Sequence, residues 1–406
     1  MNQTRRRVLF LCRAESSESS RAAAALASLD NIEVVATGPD KLNHDHGHLD
    51  LIVTAQETLL EAVAAANERL GLPGMGVETV RRTLNKSQFK TTLQAAGINT
   101  PRYELVKDPG DLRRFVTQSG FPIVLKSVFG GGALATLVLR SEEDLKRAIQ
   151  LNTDSADFVV EEYVEGQELC IDTITIANEP QFYSICCYYP SILEAVERPE
   201  TQWRCVMPRA IDTYADFIAE GLKAIRALRV GNAMTHMEGF IDAAGCPWFT
   251  DATLRPAGAR IAPMLAHAYD MDPYRVWARV AVDGCFDGPW ERKYAVGTIF
   301  LRGTGSGVVE NVTGLDLIQQ QFKDLLVDAR WPRPGAQKSM SYTGDGFITV
   351  RHPETDVVQE ALTTIADLVR ITYSSSAFNT ANWHERLYNF AELNRPAWDI
   401  SSEFKL

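Results

Sequence analysis

Residues 236–253 read HMEGFIDAAGCPWFTDAT, and this segment carries the strongest structural signal in the chain. Two strand-like runs flank the turn sequence DAAG (242–245), a pattern that predicts a β-hairpin. A turn centred within DAAG places Glu238 directly opposite Asp251 on one face of the hairpin. Like charges in this position repel, because their Cβ atoms lie roughly 5 Å apart. We therefore expect a positive charge between the two carboxylates.

A divalent cation is the natural candidate for that charge. Mg²⁺ commonly binds one or two protein carboxylates and completes its shell with water and nucleotide phosphates. Thr253 extends the same predicted face, and so does His236, which either touches a phosphate or, more simply, packs. The alternative is an ordinary surface hairpin whose acids are solvated or paired with lysine and arginine. Other motifs in the chain favour the metal site.

Composition excludes several classes of function. The chain has 406 residues, 45% of them hydrophobic, and a net charge of −11, with no basic run that would attract nucleic acid. No apolar stretch approaches the roughly 18 residues of a membrane span. Seven cysteines without a C-x-x-C pair argue against a disulfide framework or a zinc site. These features predict a protein of the reducing cytoplasm.

The order of apolar and polar segments predicts a mixed architecture of α/β and α+β type. Short apolar runs at the start of the chain are separated by helix-compatible segments, which is the pattern of a parallel sheet. Later strands and helices follow without this strict alternation. The predicted units are an open N-terminal α/β domain (1–85), a core (86–290) with a small lobe at about 119–168, a C-terminal part (291–374) and a tail (375–406).

Two further motifs precede the hairpin. Lys126 ends a predicted strand and is followed by three glycines, 130–132, and such loops let backbone N–H groups approach phosphate oxygens. The alternative is a flexible turn. The second motif is EEYVEGQE (161–168), a strand edge with backbone groups for a base and a carboxylate for a ribose. The alternative for this motif is a solvated acidic edge strand.

The motifs together resemble those of the ATP-grasp superfamily of carboxylate–amine ligases. In that family a lysine and a glycine-rich loop precede an E-E-hydrophobic-x-x-G-x-E segment, then a metal-binding glutamate and E-x-N-x-R-P-x-G, the place of DATLRPAG (251–258) here. The resemblance covers roughly residues 1–374. It implies an α/β pre-ATP-grasp domain followed by a two-lobed ATP-grasp fold, with ATP and Mg²⁺, or Mn²⁺ in its place, as cofactors.

The resemblance also implies roles for individual residues. Lys86 and Lys126 would bind the nucleotide, with Lys126 at the α- and β-phosphates beside the glycine loop. Glu161 would face the adenine amino group, and Glu168 would hold the ribose. The remaining implied residues are Gly130, Gly131 and Gly132 at the phosphates, Glu162 and Val164 presenting main-chain groups to adenine, Glu238, Asp251 and Thr253 at the metal, and Arg255, with Lys126, at the reacting centre.

Two positions depart from the family pattern. Asp251 stands where the family usually has glutamate, and Thr253 stands where it has asparagine. A shorter carboxylate and a weaker hydroxyl ligand imply a second metal that binds weakly or through water. The same departures motivate an alternative, a catalytically impaired ATP-binding partner protein.

The end of the chain indicates a subgroup. GDGFITVRH (344–352) and the R-P-x-G variant resemble the L-amino acid ligases, dipeptide and pseudodipeptide synthetases of specialised metabolism. This implies that an amino acid or similar carboxylate is joined to an amine through an acyl phosphate, releasing ADP and phosphate. The second alternative is a carboxylating or purine-type member of the superfamily. The resemblance leaves open whether the protein forms a homodimer.

Two clusters keep alternative interpretations. Trp203, Arg204 and Arg209 precede the hairpin and either line an amino-acid pocket or serve packing and surface charge. The alternating histidines 44, 46 and 48 either bind a transition metal or belong to a polar loop, and the polar loop is the simpler interpretation.

Overall fold

A computed structural model describes residues 5–13, 17–131, 136–150, 158–198, 200–339 and 341–375. Gly132 of the glycine loop therefore lies outside the described residues, and so does the predicted tail apart from Ser375. The mixed α/β and α+β architecture predicted from the sequence is confirmed, because parallel and antiparallel sheets both occur.

The described strands form four sheets. In chain order they are β1 (Arg6–Leu11), β2 (Ile32–Thr37), β3 (Leu51–Val53), β4 (Tyr103–Val106), β5 (Ile123–Ser127), β6 (Thr136–Leu139), β7 (Phe158–Glu162), β8 (Gln167–Ile176), β9 (Glu179–Tyr189), β10 (Arg204–Met207), β11 (Ala233–Ile241), β12 (Pro247–Thr253), β13 (Ala295–Leu301), β14 (Ser306–Thr313), β15 (Leu326–Arg330), β16 (Gly346–His352) and β17 (Arg370–Ser375).

The helices cover these sheets, and none within the described residues has the length and apolarity to cross a bilayer. They are α1 (Ser17–Ala27), α2 (Leu60–Leu70), α3 (Val77–Leu84), α4 (Lys86–Ala95), α5 (Pro109–Ser119), α6 (Glu142–Gln150), α7 (Ile192–Glu197), α8 (Ala215–Leu228), α9 (Ile261–Tyr269), α10 (Pro273–Asp283), α11 (Leu315–Gln321) and α12 (Thr355–Leu368), with 3₁₀ turns at Pro39–Lys41, Glu57–Leu59 and Asp212–Tyr214.

The first sheet is parallel, in the order β2-β1-β3, as the apolar runs predicted. Its central strand is buried on both sides because successive side chains enter different cores. Phe10 packs edge-on against Trp277 of α10, with ring centroids 6.2 Å apart, whereas Leu9 and Leu11 face the core under α2. This packing fixes the small sheet against the rest of the molecule.

The largest sheet is antiparallel and has the order β12-β11-β8-β9-β10-β13-β16-β15. Successive residues along its strands point to opposite faces of the sheet and so enter two different cores. Cys170 and Tyr188 face the core that contains α9 and α10, whereas Leu169 and Cys187 face the core under α8. A third core, shared with α12, covers the end of the sheet at β13 and β16.

A smaller antiparallel sheet, β4-β7-β5-β6, forms a separate lobe. Helices α5 and α6 cover one side of it, with Leu112, Phe115 and Leu145 in the shared core. The last strands, β14 and β17, pair with each other at the C-terminal part. The small lobe faces the edge of the large sheet that β11 and β12 form, and a cleft remains between them.

The hairpin β11–β12 has the predicted pairing. Glu238 lies directly opposite Asp251, and His236 lies opposite Thr253. The register shifts by one residue after Glu238, where Gly239 pairs with Phe249. Such a bulge bends the strand locally and re-aims neighbouring side chains. Gly239 is needed there because a Cβ atom at this position would overlap the carbonyl oxygen of Trp248.

We expect Gly239→Ala to lower the free energy of unfolding by about 1–3 kcal/mol, since the added methyl group forces two backbone segments apart. Gly38→Ala is the matched control, because its added Cβ meets only the carboxylate of Asp40, an exposed side chain that can rotate away. Urea denaturation of both variants measures the difference. Equal stability of the two would contradict the assigned close approach at the bulge.

Candidate active site

The cleft between the small lobe and the large sheet gathers most of the predicted site residues. We call it the lobe cavity; β5 and β7 form one wall, and β8, β11 and β12 form the other. The predicted residues that line it are Lys86, Lys126, Gly130, Gly131, Glu161, Glu162, Val164, Glu168, Glu238 and Asp251. Segments separated by more than 160 positions in the chain therefore meet in one place.

Three lysine side chains converge here, and all are buried. Lys126 approaches Glu161 with a distance of 2.6 Å between its Nζ and Oε1, and Lys86 donates to the carbonyl oxygen of Gly130. The third is Lys90, which sequence reasoning missed. Its Nζ lies 2.8 Å from Oε2 of Glu161 and donates to the carbonyl oxygen of Thr250 at 2.6 Å. Its position, four residues after Lys86 on α4, was the available signal.

The structure corrects the role expected for Glu161. Its carboxylate was expected to face an adenine amino group, but its two oxygens contact Lys126 and Lys90. Burial opposes ionisation of this carboxyl, yet the two ammonium groups outweigh burial and hold its pKa below the ordinary value. The physical reason is that two buried ammonium groups need a counter-charge, which Glu161 supplies. Glu162 and Val164 still line the cavity beyond it.

The opposed acids Glu238 and Asp251 have different environments. Burial favours the neutral form of Asp251, but the charges of Lys86, Lys126 and Lys90 prevail and lower its pKa. Its Oδ2 lies 3.6 Å from Nζ of Lys86 and 4.0 Å from Nζ of Lys126. The pKa of Glu238 is instead raised, first by burial and then by the charge of Asp251, against the opposing effect of His236.

The donor set on this face fits a hard divalent cation. Two carboxylates stand side by side and face the cavity, and the Oγ1 atom of Thr253 is buried without a partner among the described residues. Oxygen ligands of this kind suit Mg²⁺ or Mn²⁺. A cation would also remove the repulsion that raises the pKa of Glu238.

Glu168 also lines the lobe cavity. It is buried, and its Oε2 accepts a hydrogen bond of 2.6 Å from the backbone N–H of Ile192. Burial, followed by the charge of Glu238, raises its pKa to about 8. Its carboxyl remains on the cavity wall, where the sequence predicted a contact to the ribose of a nucleotide.

His236 has a more specific position than the packing expected from the sequence. Its Nδ1 lies 3.0 Å from Oδ1 of Asp172 on β8, and its Nε2 lies 3.3 Å from Oε1 of Glu238. Cys170 completes a buried group with Asp172 and His236, whose ligand atoms lie within 4.8 Å of one another. Because one imidazole nitrogen contacts each acid, we interpret the group as a chain that orients Glu238.

A second cavity adjoins the first along the same face of the hairpin. We call it the aromatic cavity; it measures about 310 Å³, and Tyr188, Trp203 and Tyr342 form its aromatic wall. It shares Lys86, Gly130, Gly131, Ile192, Glu238 and Asp251 with the lobe cavity. The two opposed carboxylates therefore stand between the two spaces.

The structure separates the three residues that the sequence grouped as a pocket. Trp203 lines the aromatic cavity as expected. Arg204 points elsewhere, and its Nη1 donates to the hydroxyl of Thr363 at 3.0 Å. Arg209 is exposed, and its backbone N–H donates to Thr355. Among the described residues that line the cavity, neither arginine is present.

Arg255 lines the aromatic cavity. Its Nη2 is 3.1 Å from Oε2 of Glu57, which follows the first sheet of the chain, and its Nη1 donates to the carbonyl oxygen of Pro256. The histidines 44, 46 and 48 lie away from either cavity, with His46 at the carbonyl of Lys41 and His48 at Asp50. His46 and His48 have separate partners, which agrees with a polar loop.

Comparison with known proteins identifies an ATP-grasp domain. The family model described as "ATP-grasp domain" matches residues 91–212, which contain Lys126 and Glu161–Glu168. A crystal structure of an L-amino acid ligase from Bacillus licheniformis superposes with a TM-score of 0.72, covering 92% of this chain and all of that chain at 18% identity. The ATP-grasp fold expected from the motifs is thereby confirmed.

Two curated relatives are similar in sequence. An L-arginine-specific L-amino acid ligase of Bacillus subtilis is 24% identical over 243 residues, which are 58% of this chain and 58% of the relative. An N5-carboxyaminoimidazole ribonucleotide synthase of Staphylococcus aureus is 24% identical over 190 residues, 47% of this chain and 49% of the relative. The chain thus spans roughly half the length of these relatives.

We expect His236→Ala to weaken binding of Mn²⁺ in the presence of ADP by about tenfold or more, because loss of a hydrogen-bonded partner of a metal ligand typically costs 10–100-fold in affinity. Electron paramagnetic resonance titration of free Mn²⁺ measures the affinity. His48→Ala is the control, since this exposed histidine contacts Asp50 far from the cavity. If both variants bind Mn²⁺ as tightly as the unmodified protein, His236 does not orient Glu238.

Proposed function

We propose that this chain, whose ATP-grasp domain forms the lobe cavity, is an ATP-dependent ligase that joins the carboxylate of an amino acid, or of a similar molecule, to an amine. The observation that carries the proposal is the position of Glu238 and Asp251 between two adjoining cavities. One cavity has the buried lysines needed for phosphate groups, and the other has room for a small molecule beside an aromatic wall.

ATP would occupy the lobe cavity. Lys86 and Lys126 would bind its phosphates beside Gly130 and Gly131, and the backbone of Glu162 to Val164 would face the base. Lys90 would act indirectly, because its ammonium group contacts Glu161 and a backbone carbonyl oxygen. Mg²⁺ held by Glu238 and Asp251, with Thr253 beside them, would neutralise phosphate charge and align the reacting oxygens.

The proposed reaction has two steps. An oxygen of the substrate carboxylate attacks the γ-phosphorus of ATP, the bond to the β-phosphate oxygen breaks, and ADP leaves with an acyl phosphate formed. The nitrogen of the amine then attacks the acyl carbon, phosphate leaves, and the nitrogen loses a proton. Arg255 lies on the carboxylate side and would stabilise the negative charge that develops there. The walls of both cavities would exclude water from the acyl phosphate.

The aromatic cavity distinguishes this proposal from a carboxylating enzyme. Bicarbonate is a small anion, and a space of about 310 Å³ lined in part by three aromatic rings is larger than it requires. An amino acid fills such a space better. By analogy with L-amino acid ligases, we propose a product of the dipeptide or pseudodipeptide type, made in specialised metabolism.

An ATP-binding protein without activity is the remaining candidate, motivated by Asp251 and Thr253. Both residues line the aromatic cavity, so neither substitution removes an oxygen from the site. The deciding experiment measures ADP release with a panel of paired amino acids, bicarbonate and no second substrate. Release that requires two amino acids supports the proposal, dependence on bicarbonate supports a carboxylase, and ATP binding without turnover supports the inactive protein.

We expect Glu238→Gln to reduce ADP release by about a hundredfold or more, because the amide lacks the charge that a metal-assisted phosphoryl transfer requires. The variant should fold, since Gln relieves the repulsion between two buried acids. A coupled ADP assay and a thermal melt measure both properties. Glu179→Gln, an exposed acid paired with Arg226, is the control. Full activity of Glu238→Gln would refute the assigned metal site.

A further inference from the structure

The hydroxyl group of Tyr188 has no assigned role in the reaction above. The side chain is 1% exposed and lines the aromatic cavity, yet no described residue forms a hydrogen bond with this hydroxyl. Buried hydroxyl groups are normally paired, so an unpaired one at a cavity wall indicates a group that binds a ligand. Trp203 cannot serve in its place, because its Nε1 already donates to the carbonyl oxygen of Pro190 at 3.1 Å.

The ring of Tyr188 is held in a fixed orientation. It packs edge-on against Trp203 with centroids 5.2 Å apart, and Trp203 in turn stacks on Phe300 at 5.1 Å and meets Tyr342 edge-on at 5.0 Å. Aromatic pairs of this geometry are favourable beyond their burial. The ring, and with it the hydroxyl, therefore has a defined position among the residues that line the cavity, as a recognition group requires.

Strand register gives the distance from Tyr188 to Glu238, which would hold the metal in the proposed reaction. Glu238 on β11 pairs with Cys170 on β8, and Cys170 pairs with Cys186 on β9. Tyr188 follows Cys186 by two residues and so lies on the same face. Adjacent strands are about 4.8 Å apart and each residue advances about 3.3 Å along a strand, which places the Cα atom of Tyr188 about 12 Å from that of Glu238. A substrate whose carboxylate reacts beside Glu238 can reach Tyr188 with its side chain.

The chemistry around Tyr188 favours a neutral group. The ring of Tyr188 contacts Trp203, which in turn contacts Tyr342, whereas Lys86 and Arg255 would serve the phosphates and the substrate carboxylate. A charged side chain placed against the aromatic wall would lose hydration without a charged partner among the three rings. Burial raises the pKa of Tyr188 well above its ordinary value, so the hydroxyl stays protonated and can donate a hydrogen bond.

We propose that Tyr188 is a substrate-recognition residue whose hydroxyl donates to the side chain of the acid substrate, and that this substrate is an amino acid with a neutral side chain carrying a hydrogen-bond acceptor. The inference rests on the proposed ligase function, because it assumes that the substrate carboxylate lies at Glu238. Under this inference, Tyr188 selects the class of side chain that the acid substrate carries.

The test compares amino acids of similar shape that differ in an acceptor: threonine with valine, asparagine with leucine, and tyrosine with phenylalanine. Arginine is included as a long cationic side chain without an acceptor. The variants are Tyr188→Phe and the control Tyr214→Phe. Tyr214 contacts Cys187, the neighbour of Tyr188 that faces the opposite core, so the control removes a similar hydroxyl outside the cavity.

Two measurements are made on each protein. The first is kcat/KM for ADP release, with a common amine and saturating ATP and Mg²⁺. The second is the change in melting temperature that each amino acid causes in the presence of ADP and Mg²⁺, which needs no turnover. The unmodified protein and Tyr214→Phe should favour the polar member of at least one pair by about tenfold or more, since a site built for a hydrogen bond discriminates against a ligand that lacks it.

Tyr188→Phe should reduce that preference to about threefold or less while accepting the apolar member as well as before. A preference that survives unchanged in Tyr188→Phe, or a preference for arginine or for the apolar members in the unmodified protein, overturns the assignment of Tyr188. Absence of ADP release with every pair overturns the ligase function instead. The melting measurements then still decide the role of Tyr188: a polar amino acid that stabilises the unmodified protein but not Tyr188→Phe supports it, and no such difference overturns it.

Discussion

The pairing of Glu238 with Asp251 is the constraint on which the site depends. Two carboxylates on adjacent strands are held close by backbone hydrogen bonds of the hairpin, so they cannot separate to relieve their repulsion. Burial makes the repulsion stronger, because little water remains to screen it. The ammonium groups of Lys86 and Lys126 supply positive charge, but both lie near Asp251 rather than midway between the acids. The negative charge of Glu238 is compensated more weakly, by His236. A bound cation would therefore stabilise the ionised form of Glu238 more than that of Asp251.

The same charges connect the two lobes. Glu161 belongs to the small lobe, and it contacts Lys126 in its own sheet and Lys90 on α4. Lys90 also donates to the carbonyl of Thr250, next to Asp251 on the large sheet. Breaking one buried partner of such a network leaves the others uncompensated, which is costly. The orientation of the small lobe over the cleft is therefore coupled to the ionisation of the groups that would bind phosphate.

Local patterns predicted the part of the site that depends on local geometry. The alternation of side chains along a strand and the DAAG turn were sufficient for the pairing of Glu238 with Asp251, and ordered motifs were sufficient for the ATP-grasp fold. Contacts made across the sheet were not predictable in this way. His236 meets Asp172, 64 residues earlier in the chain, and Glu161 meets Lys90, whose role depends on how α4 packs. Tyr188 belongs to no motif, and only the register of β8, β9 and β11 brings it to the same face of the sheet as Glu238.

The departures at Asp251 and Thr253 have a different meaning once these contacts are known. Asp251 is shorter than the usual glutamate, but it lies within 4.0 Å of two lysines and so remains on the phosphate side. Thr253 stands opposite His236 and places a buried hydroxyl without a described partner on the wall of the aromatic cavity. A threonine is smaller than an asparagine and leaves more of that cavity to the ligand. Both changes therefore preserve charges that would bind a nucleotide, and they act on the aromatic cavity, which would hold the substrate carboxylate in the proposed reaction.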